Sequence, residues 1–355
     1  MRIHNFCAGP CTLPLSVLEA AQAELTNFAD TGMSMMEISH RSQAFMQIHE
    51  EALQLAQRLS GAPEQFKPLL LPGGASQQFA MSAQNLLGNN DIAAIVKSGI
   101  WAKKALQEAN RVGRMEVVWD GAINDYTTLP ESLELEKPFS YLHLTSNETV
   151  NGLQFPVFPE VDVPLVIDAS SDYFSRELPW ERCAVVYGGV QKNLAPSGLA
   201  LVFVREDYLE DHPELAKFYC YKTHADANSL YNTPPTWQIY LLNKVLHWME
   251  EKGGITYFAD YAQEKSTKLY AAIDGLDFYH NDVDPRYRST MNVIFRTPSQ
   301  DLDIAFAREA EAQGLNGLKG HRSVGGLRAS LYNALEMRSV DALIDFMNDF
   351  ATRHV

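Results

Sequence analysis

Asp168 and Lys192 each stand where a charged side chain is costly in this 355-residue chain. Asp168 ends the apolar run of "VPLVIDASS", and Lys192 follows the apolar run and paired glycines of "VVYGGVQKN", 24 residues later. In an open α/β sheet, ligands collect beyond the carboxyl ends of the strands, so an acid and an amine at two such ends point toward one crevice. A lysine near a strand end is tolerated in a buried place when it is paired, neutral or covalently occupied. Taken singly, the two residues would be a turn aspartate and a loop lysine.

Their company changes that reading. "PGGASQQF", residues 72–79, is a glycine turn leading from a strand into a helix, and its free N–H groups with the helix dipole form a cup for an anion. "SGIWAKKA" places Trp101 at a similar junction, where an indole can stack on a flat ring. "SNETVNG" adds Thr149, whose hydroxyl can donate to a phenolate oxygen. Together the set asks for a phosphate, an aromatic ring with a basic nitrogen, and an aldehyde that takes a lysine. Pyridoxal 5′-phosphate has all four, and Lys192 is then expected to hold it as a Schiff base. No G-x-x-x-x-G-K-[ST] is present, and no G-x-G-x-x-G follows a strand, so neither a P-loop nor a dinucleotide fold is expected.

Composition narrows the class. The chain is 46% hydrophobic and 21% charged, as in an ordinary globular protein. A formal charge of −15 argues against a general nucleic-acid or anionic-membrane binder, so any anion must meet a local basic pocket. Four cysteines, Cys7, Cys11, Cys183 and Cys220, are too few for a disulfide scaffold and complete no zinc pattern; free thiols and no metal are expected. The opening "MRIHNFCAGP" has no signal-peptide pattern, and no apolar run is long enough to span a bilayer, which leads to the expectation of a cytoplasmic protein.

The elements that must position these residues are an α/β set. Seven short runs, "KPLLLPGG", "DIAAIVKSG", "RMEVVW", "FSYLHLT", "VPLVIDAS", "AVVYGG" and "GLALVFVR", alternate with helical stretches over residues 66–205, predicting a largely parallel sheet covered on both faces. Ser42 and Gly61 bracket a helix over "QAFMQIHEEALQLAQRLS". Beyond residue 205 come two long helices, "PPTWQIYLLNKVLHWMEEKGG" and "ADYAQEKSTKLYAAI", then "MNVIFR", a helix through "LDIAFAREAEAQG", the strand-like "GLRASLYN" and a terminal helix. We expect a large domain over 1–260, whose N-terminal segment can pack with a smaller α+β domain over 261–355, the boundary falling within 253–275.

In family order, "FCAGP", "MMEISHR", "GGASQQF", "GIWA", "SNETVNG", "IDASS", "GGVQKN", "YNTPPT" and "LKGHRSVGGLRASLYNA" span nearly the whole chain. With these stretches it resembles the class V, fold-type I pyridoxal-phosphate aminotransferases, and within them the phosphoserine aminotransferase family. The resemblance implies a large domain with a mostly parallel seven-stranded sheet, and Lys192 as the lysine that holds the cofactor, with Gln191 near its phosphate. It implies Asp168 paired with the pyridine nitrogen, so that the ring accepts electrons released at the substrate Cα. Ala75 and Ser76 would carry the phosphate, Trp101 would stack on the ring and Thr149 would sit by the ring oxygen. Asn232 and Thr233 would reach the phosphate of a partner subunit's cofactor, which implies a homodimer with shared sites.

The same resemblance puts substrate binding on His40, Arg41, His321, Arg322 and Arg328. Arg328 suits an α-carboxylate, because a guanidinium fork grips two oxygens in one plane. The other four would surround a distal anion, either a phosphate or the γ-carboxylate of L-glutamate. The implied reaction is reversible amino transfer between L-glutamate and 3-phosphohydroxypyruvate, giving O-phospho-L-serine and 2-oxoglutarate in serine biosynthesis. 4-Phosphohydroxy-L-threonine of pyridoxine biosynthesis is a further implied substrate. The alternatives are a serine–glyoxylate aminotransferase, which has no use for the extra His/Arg pairs, a cysteine desulfurase, and a non-catalytic binder of phosphorylated ligands. A desulfurase needs a reactive loop cysteine; a pure binder has no need of both Lys192 and Asp168.

Overall fold

The computed structural model describes residues 2–354. In chain order its strands are β1 (His4–Asn5), β2 (Phe66–Gly73), β3 (Ala93–Lys97), β4 (Met115–Asp120), β5 (Leu142–Thr145), β6 (Asn147–Glu148), β7 (Leu153–Gln154), β8 (Leu165–Asp168), β9 (Cys183–Gly189), β10 (Gly198–Arg205), β11 (Asn292–Phe295), β12 (Leu315–Asn316) and β13 (Leu327–Ser330). The α-helices are α1 (Leu15–Ala23), α2 (Gln43–Ser60), α3 (Ala75–Leu86), α4 (Ile100–Ala109), α5 (Tyr221–Asp226), α6 (Thr236–Lys252), α7 (Gly254–Asp274), α8 (Gln300–Ala312) and α9 (Met337–His354).

All seven apolar runs join one sheet, in the order β2-β10-β9-β8-β5-β3-β4. Every pairing is parallel except those of β10, which runs antiparallel to both β2 and β9. Strands β5, β8 and β9 are buried along their whole length. Helices α3 and α4 cover one face, where Phe79, Ala102 and Ala105 share a core with Ile95, Val185 and Val202. Helices α2 and α6 lie on the other face, with Phe45, Leu55 and Leu242 packed with Ile167, Leu201 and Phe203. The two layers explain why the strands read as unbroken apolar runs.

Local chemistry sets the helix ends. Ser42 Oγ accepts the Phe45 N–H at 3.3 Å, and Gly61 closes α2 in the left-handed region at φ 72°. Glu51 meets His247 at 3.1 Å and Arg58 meets Glu250 at 2.6 Å, so α2 and α6 run in the same direction. Their N-terminal ends are therefore neighbours.

The smaller unit packs α8, α9 and part of α7 around Phe295, Phe306, Phe346 and Phe350, against the antiparallel pair β11–β13. The chain's start belongs here too, since β1 pairs in parallel with β12 and Phe6 is buried in this core. Helix α7 crosses between the units: Phe258 packs in the large core, while Leu269 and Ile273 pack in the small one. A division at 260/261 thus passes through one continuous helix. Among the described residues no helix is long and apolar enough to cross a membrane.

Candidate active site

The carboxyl ends of β5, β8 and β9 open toward the small unit, and Asp168 and Lys192 stand there. Lys192 is 9% exposed, and its Nζ donates to Thr149 Oγ1 at 2.7 Å. Burial lowers its pKa, with the charges of Asp168 and Glu148 opposing and that of Arg328 adding to the depression. The ammonium is therefore readier to give up a proton than a surface lysine. The two preceding glycines make room: a Cβ on Gly188 would strike the Tyr173 ring, and one on Gly189 would lie 2.6 Å from Gln191 Oε1. The following residue locks the loop. Asn193 Nδ2 donates to the Tyr173 carbonyl at 2.6 Å, and Asn193 Oδ1 accepts the Asn333 N–H of the small unit at 2.8 Å.

Asp168 is buried at the end of β8, and Ser170 fixes one of its oxygens: the Ser170 N–H and hydroxyl reach Oδ1 at 3.0 and 2.6 Å. Among the described residues Oδ2 makes no hydrogen bond. Burial raises the Asp168 pKa, while the Lys192 charge and the Ser170 bonds pull it back. Such a carboxylate gains from a cation arriving at Oδ2.

Trp101, on the first turn of α4, carries its ring centroid 4.9 Å from Lys192 Nζ. Its Nε1 is buried and has no hydrogen-bond partner among the described residues. Helix α3 starts at Ala75 with no side-chain cap, which among the described residues leaves the N–H groups of Ala75 and Ser76 free. Gly73 before them sits at φ +111°, a conformation that favours glycine.

The small unit supplies Arg328 from β13. Its Nη1 donates to the Thr149 carbonyl at 3.2 Å, and its buried Nε has no partner among the described residues. Thr149 therefore touches both Lys192, through its hydroxyl, and Arg328, through its carbonyl. His321 lies by the charges of Arg328, Arg322 and Lys104, which together with burial lower its pKa. The remaining expected residues fall into a second group. Arg41 Nε is 3.4 Å from His40 Nε2 just before α2, and Asn232 Nδ2 donates to the Thr233 carbonyl at 3.0 Å just before α6. Because α2 and α6 run side by side in one direction, both pairs mark the same corner. Among the described residues no hydrogen bond or ion pair joins them to Lys192, Asp168 or Arg328.

Two site residues escaped the sequence reading. Lys104 holds its Nζ 4.4 Å from the Trp101 ring centroid and adds a cation near His321. Glu148 is wholly buried beside Thr149, and burial lifts its pKa to about 7. A clue to it lay in "KSGIWAKKA", where a helix opens on glycine without a capping side chain.

These residues fit pyridoxal 5′-phosphate. A buried amine, an acid with one open oxygen, an indole with an orphaned N–H, an uncapped helix start and an arginine with an orphaned Nε are the groups that its aldehyde, ring nitrogen, ring face, phosphate and amino-acid partner require.

Comparison with known proteins agrees. The family model of aminotransferase class-V matches residues 3–343. A phosphoserine aminotransferase of Dichelobacter nodosus is 61% identical over 355 residues, covering 99% of each chain. The crystal structure of the phosphoserine aminotransferase from Bacillus circulans subsp. alkalophilus superposes with a TM-score of 0.97 at 46% identity, covering 100% of this chain and 99% of that one. A phosphoserine aminotransferase with bound pyridoxal phosphate from Trichomonas vaginalis follows at TM-score 0.93 and 36% identity, covering 98% and 100%.

Proposed function

This chain belongs to the class V aminotransferases, and from that premise we infer that it moves the amino group of L-glutamate onto 3-phosphohydroxypyruvate, forming O-phospho-L-serine and 2-oxoglutarate. It is a pyridoxal-phosphate enzyme. The observation that carries the reading is the triangle at Thr149, which joins a buried amine to a guanidinium from the other unit.

When bound, the cofactor supplies an aldehyde for the substrate amine and a protonated ring that draws electrons from Cα. The side chains do the rest. Lys192 would hold the group, and its Nζ, when free, would carry the Cα proton within the site, a task served by its lowered pKa. Asp168 keeps a proton on the ring nitrogen through Oδ2. Thr149 accepts from Lys192 and so has its own hydroxyl hydrogen free for the ring oxygen. Ala75 and Ser76 offer N–H groups to the phosphate, with Gln191 beside them, and Trp101 covers the ring. Arg328 would grip the α-carboxylate, with His321 and Arg322 toward the distal anion of either substrate; His40 and Arg41, which share the corner of Asn232 and Thr233, would join them from a second copy.

Arg328→Ala is expected to raise KM for both L-glutamate and O-phospho-L-serine by about 10- to 100-fold, the worth of a charge-assisted pair. Steady-state turnover in each direction measures it. Purified wild-type protein that exchanges no amino group between glutamate and 3-phosphohydroxypyruvate would refute the function, and an unchanged glutamate KM in the variant would refute the role of Arg328.

The working unit is a homodimer in the cytoplasm, with Asn232 and Thr233 serving the partner's cofactor phosphate. Support comes from their place at a corner where Met33, Met36 and Tyr231 are exposed, an apolar rim suited to a second copy. The four described cysteines are free, as in a reducing compartment. A protein carrying Asn232→Ala and Thr233→Ala, mixed and reassociated with Lys192→Ala, should recover about a quarter of the wild-type activity, because half the dimers then hold one intact site. No recovery above the separate proteins would count against shared sites.

A further inference from the structure

Helix α4 has an unusual start. Its cap position is Gly99, which has no side chain to offer, yet two of its leading N–H groups are satisfied: Trp101 donates to Glu148 Oε2 at 3.1 Å and Ala102 to Glu148 Oε1 at 2.9 Å. These are the second and third helical residues, the ones a local serine or aspartate cap would serve. The Ser98 hydroxyl adds a third donor at 3.3 Å. Glu148 comes from β6, and β6 is held by its pairing with β7 and by the Gly152 N–H on the Glu148 carbonyl at 2.9 Å. Gly99 is required by space: a Cβ there would lie 2.5 Å from the Glu148 carboxyl carbon.

Resting on the function inferred above, we propose that Glu148 is a positioning residue that caps α4 from a distant strand and thereby fixes the Trp101 indole against the cofactor ring. The residue after it, Thr149, bonds Lys192, so one rigid hairpin sets two walls of the site. A wholly buried acid is costly unless its oxygens are bonded, and among the described residues every bond the Glu148 carboxylate accepts comes from residues 98–102. A cap borrowed in this way ties the helix start to the site rather than to its own chain neighbours.

The test compares apoprotein affinity for pyridoxal phosphate, read by quenching of tryptophan emission, with kcat and KM of the reconstituted enzyme. Glu148→Gln keeps one acceptor and faces the other N–H with an amide, so affinity should fall about tenfold. In a Trp101→Phe background the same change should cost less than about twofold, since the residue acts through the indole; equal costs in both backgrounds would mean support of the helix alone and overturn the proposal. Gly99→Ser should weaken binding on its own by crowding the carboxylate, and in Glu148→Ala it should restore most of the affinity by supplying a local cap. Wild-type affinity in Glu148→Gln, or no rescue by Gly99→Ser in a folded Glu148→Ala protein, overturns the proposal. Should wild-type protein itself fail to take up the cofactor, the functional reading fails instead.

Discussion

Lys192→Ala is expected to lower kcat by roughly 10³-fold or more, the range spanned by a positioned proton carrier. The argument starts from burial. A buried amine 2.7 Å from a hydroxyl has a pKa depressed by burial, so it gives up its proton more readily than an exposed lysine. Alanine removes both the covalent tether and the base. Lys192→Arg is the control: it keeps the positive charge beside Asp168 and Glu148 but cannot release a proton, so it should remain as inactive as alanine. Reduction with borohydride should leave the cofactor attached to wild-type protein and wash out of both variants. A Lys192→Arg protein with more than a tenth of wild-type turnover would show that charge, not proton movement, is what the position supplies.

Asp168→Asn should cost roughly 10²- to 10³-fold in kcat, the usual toll for removing a preorganised charge from a buried site. Asparagine has nearly the same shape, and its carbonyl oxygen can still accept from Ser170, so the end of β8 should keep its geometry. What is lost is the negative charge at Oδ2 that would hold a proton on the ring. The loss should appear in kcat, with KM for glutamate changed by less than about threefold, because no substrate-gripping residue is touched. Measuring both constants at several pH values tests this. A large rise in KM with kcat preserved would place Asp168 in substrate binding rather than beside the cofactor.

The parallel sheet was legible because its strands are covered on both faces: "PLVID" and "AVVYGG" read as unbroken apolar runs since neither side of β8 or β9 meets water. For the same reason the direction of β10 was not legible. A strand buried on both faces loses the alternation that hints at orientation, and its antiparallel course is fixed by the short Val190–Ser197 connection. The hairpin β6–β7 has no apolar run to announce it, because Asn147, Glu148 and Gln154 are buried through hydrogen bonds rather than through hydrophobicity. Lys192, Asp168, Thr149 and Trp101 stood out by their places at strand and helix ends, while Arg328 was pointed to by the family resemblance; the structure sets Trp101 against Lys192 and bonds Thr149 to both Lys192 and Arg328. Glu148 did not stand out: the uncapped start of α4 hints at an outside acceptor, but the donors lie 46, 47 and 50 residues earlier and no local pattern names their partner.

The first strand ties the two units together in a way that bears on motion. Its residues are paired to β12 in the small unit, yet a few positions later the Cys11 N–H bonds the Gln191 carbonyl in the large one, and a Cβ on Gly9 would lie 3.5 Å from Lys192 Cγ. The opening segment thus runs from the sheet of the small unit to the backbone beside Lys192. A change in the spacing of the two units would have to be taken up within this segment, next to Lys192.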